Sequence, residues 1–255
     1  MNDGVFEPVL DSGEPLAAQV KKILVQRILT NVLRPGERLS ENELSTLLGV
    51  SRQPVRDALI RLAEVGLVRA LPQRGTEVTR IAIRAVYSSR FLREAVEVAV
   101  IREAAVRAEP SMIEAMDRII EAQEVAVAKE DDLGFLALDD DLHRTLALSI
   151  GHEDVWRTLQ NVKLQMDRVR FLSLPDTTPE ELLIQQHRLI VRALKARNPH
   201  KAEVAVRQHL AEVLRSLPLL IRKFPDYFKG SRKHVGEDLP YAESAAAAPK
   251  RSGSM

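Results

Sequence analysis

The 255-residue sequence contains no cysteine. That excludes disulfides, thiolate metal ligands and cysteine nucleophiles, and it fits a reducing compartment. No apolar run approaches the ~18 residues that span a bilayer. The first ten residues, Met1 to Leu10, are acidic and lack the basic and apolar regions of a signal peptide. Together these absences predict a cytoplasmic protein with no membrane partner. An excess of one charge is also missing: the formal net charge is +1, so bulk electrostatics does not announce nucleic acid. Residues 34–80 carry eight arginines against six Asp plus Glu. Any DNA reading must therefore rest on where the arginines sit. No internal repeat is evident. What the chain does have is 45% hydrophobic and 29% charged residues, enough for one large domain or two ordinary ones.

Residues 1–15 read as a flexible arm. From Leu16 to Val32 apolar residues recur at helical spacing (Val20, Ile23, Leu24, Ile28), until Arg34-Pro35-Gly36 breaks the pattern. A short helix spans Glu41 to Leu48, with Gly49 as its stop. Ser51 can cap a second helix from Arg52 to Val65, with Pro54 in its first turn. Leu67–Leu71 and Thr76–Arg80 read as strands around a Pro72–Gly75 turn. Beyond Arg80 strand signals vanish. Helices are expected over 83–107, 112–129, 131–150, 153–172, 179–197 and 199–217. Ser111 with Glu114 and Thr178 with Glu181 form capping boxes, and Pro179 stands at a first helical position. The chain thus divides into a head (16–80), a helical domain (81–223) and a Gly/Ser/Ala/Lys-rich tail (224–255) that is expected to be disordered. The fold class is mainly α: a winged helix-turn-helix, of three helices plus a β-hairpin, followed by an all-helical antiparallel bundle.

Two short helices joined by Leu48-Gly49-Val50-Ser51 and followed by a hairpin have the layout of a winged helix-turn-helix. In the second helix Val55, Leu59 and Leu62 make an apolar stripe, while Arg52 and Arg56, four apart, share another face. With Gln53 they crown the N-terminal end. In a major groove Arg can bind guanine and Gln can bind adenine, each through two hydrogen bonds. Ser51 and the free N–H groups beside it suit phosphate. Arg74-Gly75 suits a wing tip, where glycine permits close approach and arginine reaches the minor groove or a phosphate.

These segments resemble a known family. Leu33 to Glu41 (LRPGERLSE), Leu47 to Leu59 (LLGVSRQPVRDAL), Arg61-Leu62, Gly66-Leu67-Val68 and Arg74-Gly75 are similar to the GntR family of bacterial regulators. The resemblance covers residues 16–80. It implies a homodimer that binds a palindromic double-stranded operator. Carried over by position, Ser51, Arg52, Gln53 and Arg56 are the recognition-helix contacts, and Arg74 and Gly75 the wing contacts. Asn42 stands where many relatives have a basic residue, which weakens an expected phosphate contact.

Six histidines are present. His152, His200 and His234 fall in a loop, a helix start and the tail. The other three lie on apolar stripes: Leu136, Asp139, His143, Leu146, Ile150; Leu183, His187, Ile190, Leu194; and Val206, His209, Val213, Leu217. His187 is eleven residues before Asn198 and His209 eleven after it. In an antiparallel hairpin turning there, both stand ~16 Å from the turn, at one height. Asp139 and His143, at i and i+4, can add a carboxylate and an imidazole from a third helix. Such a set suits a divalent transition metal. Buried histidines also occur as hydrogen-bonded core residues, and spacing alone leaves that reading open.

Asp139-x-x-x-His143-Arg144-x-Leu146, Gln186-His187-Arg188 with Ala193-Leu194, and Gln208-His209-Leu210 resemble the FCD ligand-binding domain of FadR-type GntR regulators. That likeness covers residues 85–220. It implies a metal, zinc or nickel, held by Asp139, His143, His187 and His209, and a small organic acid effector completing its coordination. An Arg-x-x-x-Glu pattern is shared too; Arg93 with Glu97 fits it, and Arg90 with Glu94 fits nearly as well. Either arginine could clamp the effector carboxylate. The implied function is a regulator, by preference a repressor released by its ligand, and not an enzyme. Three rivals remain: a regulator with the ion itself as effector, a metalloenzyme, and a non-specific architectural DNA binder.

Overall fold

The computed structural model describes residues 13–174 and 177–230. The chain opens with α1 (Leu16–Leu29), β1 (Arg38–Leu39), α2 (Glu41–Leu48), α3 (Arg52–Glu64), β2 (Val68–Leu71) and β3 (Gly75–Val78). Helix α1 stops three residues short of the expected Val32, because Thr30 closes it and Asn31 takes a positive φ of 58°. Ser40 caps α2 by accepting from the Glu43 N–H. Gly49, at φ 64°, ends it in the left-handed conformation that only glycine adopts cheaply. Strand β3 is central in the antiparallel order β1-β3-β2. Two-residue β1, held by Arg38 opposite Glu77 and Leu39 opposite Thr76, is too short to announce itself by alternation. Val20, Leu24, Ile28, Val55, Leu59 and Leu62 close one core beneath these strands. Each such side chain contributes on the order of 1.5–3 kcal/mol by leaving water.

Next come β4 (Ile81–Ala82), α4 (Ile83–Arg107), α5 (Pro110–Ala128), α6 (Asp132–Ser149), α7 (Glu153–Val162), α8 (Leu164–Ser173), α9 (Glu180–Lys195), α10 (Pro199–Lys223), a 3-10 turn (Pro225–Tyr227) and β5 (Phe228–Lys229). Two departures from the helices read in the sequence have physical causes. The single helix expected over 153–172 is two, broken at Lys163, where no Gly or Pro warns of it. The Lys163 ammonium is drawn inward by Asp140 and Asp167. Helix α10 runs past 217 through Pro218, although proline deprives Leu214 of a backbone donor. Leu217 and Leu220 are buried there with Val86, Met166 and Phe228, which outweighs that loss.

The caps differ as well. Helix α5 starts at Pro110 with Glu109 before it, so Ser111 lies inside the first turn. For α9 the cap position is Pro179 itself, and neither helix receives a side-chain cap bond. The end segments are more ordered than expected where they are described. The Gln19 side chain donates to the Glu14 carbonyl, and Lys22 pairs with Glu14. The tail expected to be loose from 224 instead places β5 parallel to β4, Ile81 opposite Phe228. Burial of Phe228 fixes it. Residues 1–12 and 231–255, with the remaining arm and tail expectations, lie outside the described residues. No described helix is long and apolar enough to cross a membrane.

Candidate metal centre and nucleic-acid interface

Helix α6 carries Asp139 and His143 one turn apart, both facing the bundle core. Helices α9 and α10 form the hairpin that the spacing around Asn198 predicts, and Asn198 caps α10 by accepting from the Lys201 N–H. His187 and His209 meet across it with ring centres 4.6 Å apart. One ligand atom from each of Asp139, His143, His187 and His209 lies within 4.8 Å of the others. All four residues are buried.

The atoms that converge are consistent. Nε2 of His143 is 3.1 Å from Nε2 of His209. Oδ1 of Asp139 is 3.2 Å from Nε2 of His187 and 3.6 Å from that of His209. Each Nδ1 points outward to an oxygen: His143 to Glu97 at 2.5 Å, His187 to Gln123 at 2.8 Å, His209 to Gln186 at 3.2 Å. The Gln186 amide is oriented by its own donation to Glu212 at 2.7 Å, which leaves its oxygen for His209. The oxygen partners on Nδ1 of His187 and His209 favour their Nδ1–H tautomers and leave both Nε2 lone pairs facing the Asp139 carboxylate.

Electrostatics agrees with a cation's requirements. Burial opposes ionisation of Asp139, but Arg170 beside it, helped by His187, holds its carboxyl well below the usual range. Glu97, also buried, is brought down to about 2 by Arg93 and His143. Burial lowers the pKa of His187, and burial with His187 beside it lowers that of His209 well below normal. Both imidazoles are therefore neutral near pH 7 and free to ligate. Two atoms test the fit directly. Oδ1 of Asp139 and Nε2 of His187 are buried without a hydrogen-bond partner, a costly arrangement that a shared cation resolves. One carboxylate and three imidazoles suit zinc, nickel or a similar ion.

Beside the cluster lies a cavity of about 30 Å³, lined among others by Arg93, Asp139, Arg170, Ser173, Thr178 and His209. Of the two arginines the sequence offers, Arg93 is brought here, buried and paired with Glu97. Arg90 pairs with Glu94 and does not line the cavity. Sequence reasoning missed Arg170, whose helical phase is lost when 153–172 is read as one helix. It also missed Gln123, which a polar residue on the stripe of Met116 and Ile120 could have signalled. The remaining described histidines stand apart: His152 is exposed near Glu103, and His200 is exposed at the start of α10.

In the head, α3 buries Val55, Ala58, Leu59 and Leu62 and turns Ser51, Arg52, Gln53 and Arg56 outward, all exposed. Ser51 occupies the cap position without bonding its own helix, so its hydroxyl is not engaged there. Gln53 reaches Asp57 at 2.9 Å, and Arg52 lies 3.5 Å from Glu41. Both contacts are solvent-exposed and worth little. Arg74 and Gly75 are exposed at the β2–β3 turn. Gly75 has φ +86°, and a Cβ there would press the Leu39 carbonyl at 3.4 Å.

Comparison with known proteins agrees with both halves. Residues 16–78 match the bacterial regulatory proteins of the gntR family, and residues 90–212 match the FCD domain. The HTH-type transcriptional repressor RspR of Escherichia coli (strain K12) is 36% identical over 222 residues, covering 87% of this chain and 97% of that protein. An uncharacterised HTH-type transcriptional regulator from an unstable DNA locus of Streptomyces ambofaciens is 35% identical over 206 residues, covering 80% of this chain and 86% of that protein. The solved structure of E. coli McbR/YncC shares the fold, with a TM-score of 0.69 at 20% identity over 83% of this chain and 99% of that one. The chain belongs to the GntR family of bacterial regulatory proteins, with an FCD domain behind its helix-turn-helix head, and is a transcriptional regulator and not an enzyme.

Proposed function

We propose that this regulator, with a head at 16–80 and a helical domain at 81–223, binds a palindromic operator as a cytoplasmic homodimer. Its affinity for DNA is set by a small carboxylate held at a divalent metal ion. Asp139, His143, His187 and His209 would hold the ion, zinc or nickel. When bound, that ion supplies a Lewis-acidic anchor for a carboxylate oxygen. Arg93 and Arg170 flank the cavity and suit the remaining negative charge. The observation that carries the reading is the gathering of ligand atoms from Asp139, His143, His187 and His209 within 4.8 Å of one another, around an Asp139 oxygen that has no hydrogen-bond partner. At the head, Arg52, Gln53 and Arg56 read base edges, Ser51 takes phosphate, and Arg74-Gly75 enters the minor groove or meets the backbone. Phe91, Leu92 and Val106, exposed along α4 with Ala95 and Ala99, offer an apolar stripe for the second copy. Ligand-relieved repression is the preferred sign, in keeping with the repressor name of the E. coli relative.

The test is a thermal-unfolding screen of organic acids with and without chelator. A cognate acid at 100 times its Kd stabilises by about 2.7 kcal/mol, and chelator abolishes that gain. An acid that stabilises equally in chelator contradicts the scheme. One observation favours a second reading, in which the ion itself is the effector. A cavity of about 30 Å³ admits a water beside the cluster but no organic acid until it opens. Zinc titrated into an operator-binding assay with no acid present separates the two.

Gln123 provides a separate check. Gln123→Leu removes the acceptor that orients His187, and is expected to weaken metal affinity about 10–100-fold, read by competition with a chelating dye. Unchanged affinity would show that the Nδ1 contact does not hold the ligand.

A further inference from the structure

Between the buried cluster and the head stands one short helix, α8. Its C-terminal half touches the cluster: Nη2 of Arg170 bonds Oδ2 of Asp139. Nη1 of the same guanidinium lies 3.3 Å from Asp140 and 3.2 Å from Asp167. Lys163, at the α7–α8 break, joins those two acids again, at 2.7 Å and 2.5 Å. Asp139, Arg170, Asp140, Asp167 and Lys163 are therefore one continuous ionic network in a largely buried setting.

The other end of α8 touches the head. Leu164 packs against the head's core. The Gln165 side chain donates to the Gly66 carbonyl at 3.0 Å. Gly66 is the turn between α3 and β2, at φ 73°, so this bond grips the junction of recognition helix and wing. Arg168 in turn donates to the Gln165 oxygen at 3.3 Å. Its Nε and Nη2 are buried without a partner among the described residues, and burial brings its pKa down to about 10. A buried guanidinium without a carboxylate opposes this docked position. On the flank, Lys163, Asp140, Asp167 and Arg170 also border a cavity of about 550 Å³ between α1 and the bundle, which leaves α8 room to shift against the head.

We infer that α8 is the transmitting element of this regulator: Arg170 registers the charge state around Asp139, and Gln165 passes the resulting displacement to Gly66. The inference deepens the metal reading and rests on it for the stimulus. A cation at Asp139 repels the Arg170 guanidinium toward Asp140 and Asp167. That tightens the network around Lys163 and moves the helix start that carries Leu164 and Gln165. Arg170 is here a positioning residue, acting on the head only through α8.

Hydrogen exchange of the full chain, followed by mass spectrometry with and without one equivalent of Zn²⁺, tests it in two arms. In the parent, zinc is expected to change exchange both in α8 and at residues 62–68, the latter by about fivefold or more, the lower end of allosteric couplings. Gln165→Ala, a change at a half-buried residue remote from the four cluster residues, should keep zinc affinity and the α8 response but lose the response at 62–68. Zinc that binds while leaving residues 62–68 untouched in the parent overturns the inference, as does a Gln165→Ala variant that still transmits. The second arm is metal-free. Arg170→Gln should alter exchange at 62–68, Arg170→Lys should restore part of it, and combining Arg170→Gln with Gln165→Ala should add nothing further at 62–68. Additive effects of the two changes overturn the inference. Failure of zinc to bind sinks the metal reading alone, and the metal-free arm still decides this one.

Discussion

A variant with Arg52 and Arg56 both changed to alanine is expected to lose specific operator binding while folding as the parent does. Both side chains are exposed and neither belongs to the head's core, which Val55, Ala58, Leu59 and Leu62 close from the other side of α3. Their removal exposes no buried partner, so stability should move by no more than about 0.5 kcal/mol. Operator affinity should move far more. Each two-point arginine–guanine contact is worth about 1–3 kcal/mol of discrimination, so the pair carries about 2–6 kcal/mol, or roughly 30-fold to more than 10⁴-fold. Arg74→Ala should act differently, weakening binding to all sequences and lowering the salt slope by about one if it contacts phosphate. Anisotropy titrations against operator and scrambled duplexes separate the two outcomes. A double variant that keeps full preference for the operator would remove α3 as the reading element.

His187→Ala should produce the reverse pattern: an intact head and a chain that no longer retains its ion. His187 is fully buried, contributes one of three converging Nε2 atoms and stands 3.2 Å from Asp139. A four-residue set reduced to three residues with a solvent-sized void in place of an imidazole loses both a bond and its geometry. Elemental analysis of dialysed protein is expected to find one ion per chain in the parent and essentially none in the variant. The thermal transition of the parent should fall on adding chelator, whereas the variant's should not respond. Losing the ring also leaves a core void, which costs on the order of 2–4 kcal/mol by comparison with other large-to-small core changes. His187→Gln, which fills most of the space, distinguishes lost ligation from lost packing. Full metal content in either variant would remove His187 from the site.

The grouping of Asp139 with the three histidines was legible because helix geometry is regular. His187 and His209 could be placed at equal height by counting residues from Asn198, and Asp139 with His143 by a single turn. The head was legible because its turn residues have few conformational alternatives: Gly49 ends α2 and Gly75 opens β3, each at positive φ. What escaped was set by contacts distant in sequence. Nothing near Lys163 marks the break between α7 and α8; the acids that cause it come from α6 and from the next turn of α8. Arg170 was hidden with it. Strand β5 could not be foreseen, since a two-residue pairing of Phe228–Lys229 with Ile81–Ala82, far away in the chain, leaves no local pattern. The choice between Arg90 and Arg93 likewise awaited the structure. Both satisfy the same i, i+4 spacing to a glutamate, and only the facing of α4 toward α6 and α10 turns Arg93 inward.

Zinc-edge X-ray absorption spectroscopy on the zinc-loaded chain bears most directly on the claim that this bundle is built around an ion. The account predicts three imidazole nitrogens at about 2.0–2.1 Å and a carboxylate oxygen at a similar distance, and essentially no retained zinc in His143→Ala. A shell of oxygen alone, or an unchanged zinc shell in that variant, would contradict it.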